Sequence, residues 1–495
     1  MPRRALVPVP VQGRQRSRVF PLRGGATPDD STKLLATPYI EDPDVWAKEK
    51  RALILMDIFA DFHGKYLSHR AKEAYGVATV VVFSNYMRGY FELVQPVDLD
   101  QLRTMCMPTT DELQDWRRHL EGIELVAISC ESDSGLADAE RFGVSLNLTH
   151  HCGINEARRH KFLMNEAVSS AGLPVVRQRL CESSAEAGEF AKELGMETAA
   201  SSNNNPRVVV KPIRGVASDD VFLCRDFASV DEAFSRIHGS TVFGSPSEKH
   251  ENVLVQEFAS GQEYAIDIIS KNGEHKVAAV WKYDKRPANG ASFVYFATKI
   301  YNGEDASVVC DYAKQCLDAL DVKWGLTHNE VILTADGPRL VEVNCRQHNM
   351  DFYPLTMACI GYNAFDILLA AYLGGQDPAS YPPNTEGERL EWDLLPDIPS
   401  KRMDGAMVHL VNYARGTLAY VNESALMEIQ SMESVLDLEV YGSFLELGNE
   451  IDPTLDIRSD AGWVQLVNDD PEAFQRDYDR IVELMPTLFE VEDES

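Results

Sequence analysis

The chain predicts a mixed α/β and α+β protein: a doubly wound parallel α/β domain, a two-lobed middle part, and a small α+β domain at the end. Three observations predict this. From Arg51 on, buried strand runs such as ALILM (52–56), VATVVVFS (77–84) and IELVAIS (123–129) alternate with helical stretches. That alternation is the pattern of a parallel sheet wrapped by helices. After a low-complexity loop, AASSNNNP (199–206), and the strand RVVVKP, helix–strand units continue to about Gly375. After a Pro-rich loop, QDPASYPPNTEG (376–387), the strands AMVHLVNY, LDLEVY and GWVQLVN precede a closing helix, PEAFQRDYDRIVEL.

The elements divide the chain in order. Residues 1–45 carry Arg, Pro, Gly and Gln in a composition that cannot bury enough apolar surface to order itself, and read as a disordered basic tail. An organelle-import segment has a similar composition, but the Pro-Val-Pro spacing is poor for an amphipathic helix. Residues 46–152 form the parallel α/β domain. No G-x-G-x-x-G follows its first strand, so dinucleotide binding is not supported, but its loop Cys130–Gly135 sits where such sheets bind ligands. Residues 153–376 form the two-lobed part, opened by the helical stretch EARRHKFLMNEAVSSAG (156–172) and hinged near 256–263. Residues 377–400 read as a linker and 401–495 as the final domain.

Composition narrows the function. The chain has 495 residues, 44% of them hydrophobic, and a formal charge of −30. A body so acidic repels nucleic acid and anionic membrane. No apolar run approaches the ~20 residues that span a bilayer. Nine cysteines without a C-x-x-C pair argue for reduced thiols and a cytoplasmic protein, and against a zinc ribbon. A homodimer is compatible with all of this.

The most telling stretch is GLTHNEVILTADGPRLVEVNCR (325–346). Two apolar runs flank Ala335-Asp336-Gly337-Pro338, a turn signal, so the segment predicts a β-hairpin. Glu342 and Asn344 are two apart on the second strand and face one side, and Glu330 on the first can come round to meet them. Two carboxylates and a carboxamide oxygen suit Mg2+, with Mn2+ as a substitute. Arg346 shares that face if the strand continues. A metal site beside a fixed cation suggests phosphoryl transfer. An exposed hairpin with solvated acids is the plain alternative, but the polar run Arg346-Gln347-His348-Asn349 speaks against it.

Other stretches fit the same chemistry. Lys211 ends a buried strand, VVVKP, where its charge needs an anion. The loop after it, with Gly215, Ser218 and Val221, offers backbone N–H groups to phosphates, although the adjacent Asp219 and Asp220 are odd there and a plain turn remains an alternative. In VLVQEFASGQEYAID (253–267), Gln256 and Glu257 end one strand and Glu263 begins the next. Such a connector can read an adenine edge and a ribose, or be a plain inter-strand loop. WKYDKRPANGASFVY (281–295) reads as strand, basic loop and strand. Lys282, Lys285 and Arg286 are candidate anion contacts there, and Lys282 and Arg286 are taken as the substrate-facing pair. His328 is either an active-site group or a buried, hydrogen-bonded histidine. Met350, in the run after Arg346, lines a substrate pocket or packs in the core.

Lys161 in a helix, Lys211 in VVVKP, the QEFASGQE connector, and Glu330 followed by Glu342-Val-Asn344-x-Arg346 resemble, in order and spacing, the ATP-grasp superfamily. Within it the chain is similar to the carboxylate–amine ligases of the L-amino acid (dipeptide) ligase and carnosine-synthase-like branch. The resemblance implies the ATP-grasp fold, ATP and Mg2+ as cofactors, and small carboxylate and amine substrates. It implies that Lys161 and Lys211 hold phosphates under the 215–221 loop. Gln256 and the Glu257–Phe258 backbone would meet adenine, and Glu263 the ribose. Glu330, Glu342 and Asn344 would hold metal, and Arg346 would sit on the transferring phosphate. A carboxylase or ligase of nucleotide-precursor metabolism and a non-catalytic ATP sensor are the alternatives.

Overall fold

The computed structural model describes residues 51–58, 61–88, 101–197, 207–215, 220–242, 245–348, 352–375 and 389–492. The expectations for the N-terminal tail, for Ser218 and for Met350 lie outside these residues.

The first sheet is parallel, in the order Gln101–Cys106, Ala78–Phe83, Arg51–Met56, Glu124–Cys130. Its two central strands are buried along almost their whole length, and apolar except for Arg51 and Thr79, because helices cover both faces. The helix Asp61–Tyr75 covers one face, and Leu136–Ser145 packs Phe142 against Trp116 on the other. A second, antiparallel sheet follows in the order Gln178–Cys181, Val253–Glu257, Val208–Lys211, Phe222–Cys224. The helices Ser184–Glu193 and Phe227–Ile237 close it with Phe190 and Phe234.

The third sheet has eight strands and dominates the molecule. Its order is Gly337–Asn344, Trp324–Thr334, Gly261–Lys271, Glu274–Ala288, Ala291–Ile300, Asp404–His409, Gly462–Asn468, Val435–Val440. Ala297 pairs with Val408, so Asp404–His409, Gly462–Asn468 and Val435–Val440 extend the sheet of the middle part, while Gly416–Val421, Glu450–Ile451 and Phe489–Val491 form a small sheet of their own. The expected linker is also more than a tether. Within it Trp392 is buried, Lys276 Nζ donates to the Leu395 carbonyl at 2.6 Å, and the Val277 N–H donates to the Asp397 carbonyl.

The parallel domain docks on this large sheet. Leu67 and Ala71 share one core with Ile269, Ala278, Leu326 and Leu368. That contact brings the carboxyl ends of the parallel strands toward the hairpin at the sheet's edge. No single described helix is long and apolar enough to cross a membrane, and the apolar helix Ala364–Leu373 is buried in the same core.

Candidate active site

The predicted hairpin is formed by Trp324–Thr334 and Gly337–Asn344, joined by a two-residue turn. Glu330 lies directly opposite Glu342, and His328 opposite Asn344. The register shifts between Glu330 and Val331, so Val341 is an extra residue, a bulge. Its effect is to put Leu340 and Val343 together on the core side while Glu342 and Asn344 face the other way. Plain alternation would have set Leu340 beside Glu342.

Two lysines reach this cluster, Lys211 from the second sheet and Lys161 from a helix whose Met164 and Val168 share the core of the large sheet. Lys161 opens the helix Lys161–Ser170, whose N-terminus is capped by the His160 ring. Its Nζ lies 2.5 Å from Glu342 Oε2 and donates to the Gly215 carbonyl at 3.2 Å. Lys211 ends its buried strand with 5% exposure. Burial, then repulsion from Lys161, push its ammonium down to about 8. Among the groups that act against this are Glu342 and Glu330, so both lysines feel the same carboxylate pair.

The carboxylates stay ionised. Burial opposes the charge of Glu330, but the His328 hydrogen bond and the cations nearby hold it well below its ordinary range. For Glu342 Lys161 outweighs burial in the same way. Asn344 Nδ2 donates to Glu342 Oε1 at 3.1 Å, so the carboxamide can offer only its oxygen to a cation. Two carboxylates and one carboxamide oxygen beside two lysines fit a Mg2+ ion that carries nucleotide phosphates.

Arg346 is buried beside this set and feels both Glu342 and Glu330. Its Nε donates to Asp133 Oδ1 at 2.6 Å and its Nη1 to the Gln347 carbonyl at 2.8 Å. Asp133 belongs to the loop after Glu124–Cys130, at the carboxyl end of the parallel sheet. The crevice expected of the first domain and the metal hairpin are therefore one place.

The connector between the lobes is more occupied than expected. The Glu257 N–H donates to the Arg177 carbonyl at 2.9 Å and the Phe258 N–H to the Arg207 carbonyl at 3.3 Å. An adenine edge at this point competes with the longer of these bonds. Gln256 is buried and its Nε2 donates to Gln178 Oε1. Glu257 carries Arg177 at its carboxylate. Glu263 is bound by Lys285 Nζ at 2.7 Å, and its field reaches Glu330 and Glu342. Beyond the phosphate loop, Val221 is partly buried, and the neighbouring Asp220 pairs with Arg236 at 2.9 Å. That pairing accounts for one of the two acids the loop seemed ill suited to carry.

The substrate-side expectation needs correction. The basic stretch is not a loop: the strand Glu274–Ala288 continues through it, and Asn289-Gly290, both at positive φ, make the tight turn. Alternation along a strand then decides the outcome. Tyr283 and Lys285 face the cluster, where Lys285 packs over the Tyr283 and Tyr295 rings. Lys282 and Arg286 face the opposite side. Lys282 lies over Tyr301, and Arg286 pairs with Asp284 and meets Tyr478 of the last helix.

His328 is buried and bridged, its Nδ1 3.1 Å from Asp267 Oδ1 and its Nε2 3.3 Å from Glu330 Oε1. Burial disfavours its charge, but the two carboxylates push it up to about 9. His348 stacks beside it at 3.9 Å, and burial with repulsion from His328 pushes it down to about 4. His348, in the run after Arg346 expected to line a substrate pocket, joins the site, and so do Asp267 and Tyr283, which sequence reasoning did not single out. Asp267 was legible in principle, since a lone acid in the apolar run AIDIIS must find partners. A cavity of about 30 Å³ adjoins these groups, bounded by Asp267, His348, Gln347 and His63 and by apolar Leu326 and Phe352.

The chain is similar to known proteins in sequence and in fold. Residues 204–350 match the model of the ATP-grasp domain family. Dapdiamide A synthase of Enterobacter agglomerans is 26% identical over 352 residues, which cover 70% of this chain and 76% of that protein. Among solved structures, an L-amino acid ligase from Bacillus licheniformis superposes with a TM-score of 0.61 at 15% identity, over 90% of this chain and all of its own. A carboxyaminoimidazole ribonucleotide synthase from Aspergillus clavatus does so at 0.58 and 14% identity, over 89% of this chain and 99% of its own. At such identities the solved structures speak for the fold alone. The matched model places an ATP-grasp domain at residues 204–350, and the solved structures show that the fold of ATP-grasp enzymes extends over about nine-tenths of the chain.

Proposed function

We propose that this enzyme joins a carboxylate to an amine, at least one of them an amino acid, with ATP converted to ADP and phosphate. The observation that carries the reading is the convergence of Glu330, Glu342 and Asn344 with Lys161, Lys211 and Arg346. Mg2+ held by Glu330, Glu342 and Asn344 would neutralise charge on the β- and γ-phosphates. Lys161 and Lys211 would hold those phosphates, and Glu263 the ribose. In the first step a carboxylate oxygen bonds to the γ-phosphorus as its bond to the β–γ bridging oxygen breaks, and ADP leaves. In the second the amine nitrogen attacks the acyl carbon, phosphate leaves, and the nitrogen gives up a proton. Arg346, fixed by Asp133, would stabilise the charge that grows on the transferred group. The amino-acid assignment follows the names of the relatives, an L-amino acid ligase and a dapdiamide synthase.

The carboxyaminoimidazole synthase likeness keeps a second reading in play, in which bicarbonate takes the place of the carboxylate. One screen separates them. ADP release is followed across pairs of amino acids, then with bicarbonate and 5-aminoimidazole ribonucleotide, and product masses are recorded. ADP released with an amide product supports the ligase reading. Turnover only with bicarbonate overturns it.

A further inference from the structure

The buried group Asp267, His328 and His348 stands beside the phosphate-binding cluster and touches it through the His328–Glu330 contact, but the proposed reaction gives the three no ligand of their own. One nitrogen of each histidine and one oxygen of Asp267 lie within 4.8 Å of one another. We propose that these three residues form a second metal site, for one divalent transition-metal ion such as Zn2+, distinct from the ion carried by nucleotide. The site would exist without nucleotide, so it stands or falls separately from the ligase reading.

The His328 distance suits a common ion and the His348 distance is slightly long for one, each nitrogen facing a different oxygen of Asp267. Three ligands each about 2.0–2.2 Å from a metal lie roughly 3–3.5 Å from one another. His328 Nδ1 is 3.1 Å from Asp267 Oδ1, and His348 Nδ1 is 3.6 Å from Asp267 Oδ2. The two rings lie side by side with their Nδ1 atoms toward the same carboxylate. His348 Nδ1 is buried and makes no hydrogen bond, an orphan lone pair that an ion would satisfy.

The outer partners are those a ligating histidine requires. Metal-bound imidazoles give their other N–H to a carboxylate or another acceptor, which sets the tautomer and the ring plane. His328 Nε2 meets Glu330 Oε1 at 3.3 Å, and His348 Nε2 meets the Tyr283 hydroxyl at 3.4 Å. Trp281 Nε1 donates to Asp267 Oδ2 at 2.6 Å and pins that carboxylate. Asp267 and His328 sit opposite each other on paired central strands, which holds the first two ligands rigidly. Two imidazoles and one carboxylate prefer Zn2+, Fe2+ or Co2+ to Mg2+. The cavity bounded by Asp267 and His348 leaves room for waters, or for a donor atom of a small ligand, to complete the shell.

The test uses the full-length protein, stripped with chelator, desalted, and free of nucleotide and amino acids. Zn2+ and Co2+ are added in turn, unbound metal is removed by gel filtration, and metal is counted by mass spectrometry. The expected result is one retained equivalent, with visible Co2+ bands that lack thiolate charge transfer. His348→Ala and Asp267→Asn should lose that equivalent, while Glu342→Gln keeps it. Tyr283→Phe, which removes one outer bond and is mild for folding, should weaken affinity about tenfold. A wild-type protein that retains no metal overturns the proposal. So does a thiolate band, which would assign the ion to cysteines, or a folded His348→Ala variant that retains a full equivalent.

Discussion

Lys161 Nζ lies 2.5 Å from Glu342 Oε2, which pairs the proposed phosphate lysine at a helix N-terminus with the proposed metal ligand on the strand that this helix packs against. The pair keeps both charges compensated in the nucleotide-free protein. On the proposed reading, nucleotide with its ion would separate the two, the lysine going to phosphate and the carboxylate to metal.

Glu342→Gln should therefore lower ADP release about 100-fold or more, because a neutral amide is a poor ligand where charge develops. The glutamine is near-isosteric and the site is partly solvated, so the melting temperature should stay within a few degrees. Steady-state ADP release and a thermal melt check both. Near-normal turnover at ordinary Mg2+ would remove Glu342 from the metal site.

Lys211 supplies a pH signature. Its ammonium is pushed down to about 8, from an ordinary 10.5, by burial and by Lys161. Below pH 8 it is charged and can hold phosphate, so ATP affinity should fall as pH rises through 8 toward 10. The sign for stability is opposite. Between 8 and 10.5 the unfolded chain binds the proton that the folded one has lost, so this group favours folding more as pH rises through that window. Lys211→Met should accordingly raise the melting temperature at pH 7 without nucleotide while weakening ATP binding. Calorimetry from pH 7 to 9.5 would reject this role if ATP affinity stayed flat.

How far the site was legible depends on how far apart its parts lie in the chain. Glu330 and Glu342 are joined by one tight turn, so strand periodicity and a turn signal were enough to bring them together. The Val341 bulge was hidden, since nothing in Arg-Leu-Val-Glu marks an extra residue, yet the outcome survived it because Glu342 and Asn344 lie beyond the bulge. Arg346 and Asp133 are 213 residues apart, and no local pattern connects them. The pairing of Ala297 with Val408 was invisible for the same reason, so the last domain looked separate. The choice among Lys282, Lys285 and Arg286 failed on a local point. The stretch was read as a loop, where alternation does not apply, and the strand in fact runs on to Ala288.

That alternation makes a sharp comparison. Lys285→Met should remove the partner of a buried Glu263 and cost about 3–5 kcal/mol, with a large loss of activity. Lys282→Ala, on the other face, should change stability by about 0.5 kcal/mol or less and leave kcat near wild type. Denaturant unfolding and ADP release of the two variants give the answer. Equal behaviour would mean the strand does not present Lys285 to the site.

Arg346 and Asp133 together test the order of the chemistry. If Arg346 acts on the γ-phosphoryl group as it moves, the nucleotide product is ADP. Attack at the α-phosphorus would instead release AMP and pyrophosphate. Arg346→Ala should lower kcat far more than it weakens ATP binding, since the guanidinium interacts most strongly with charge that appears only on transfer. Asp133→Asn keeps the guanidinium but loosens its 2.6 Å anchor, so it should show a smaller fall in kcat with ATP affinity unchanged. Chromatography of the nucleotide products and calorimetry of ATP binding read these outcomes. AMP as the main product would refute the transfer to phosphate at the γ-position. An Arg346→Ala enzyme that loses ATP affinity but keeps its kcat would make Arg346 a ground-state phosphate contact, and Asp133 would then hold a binding residue in place.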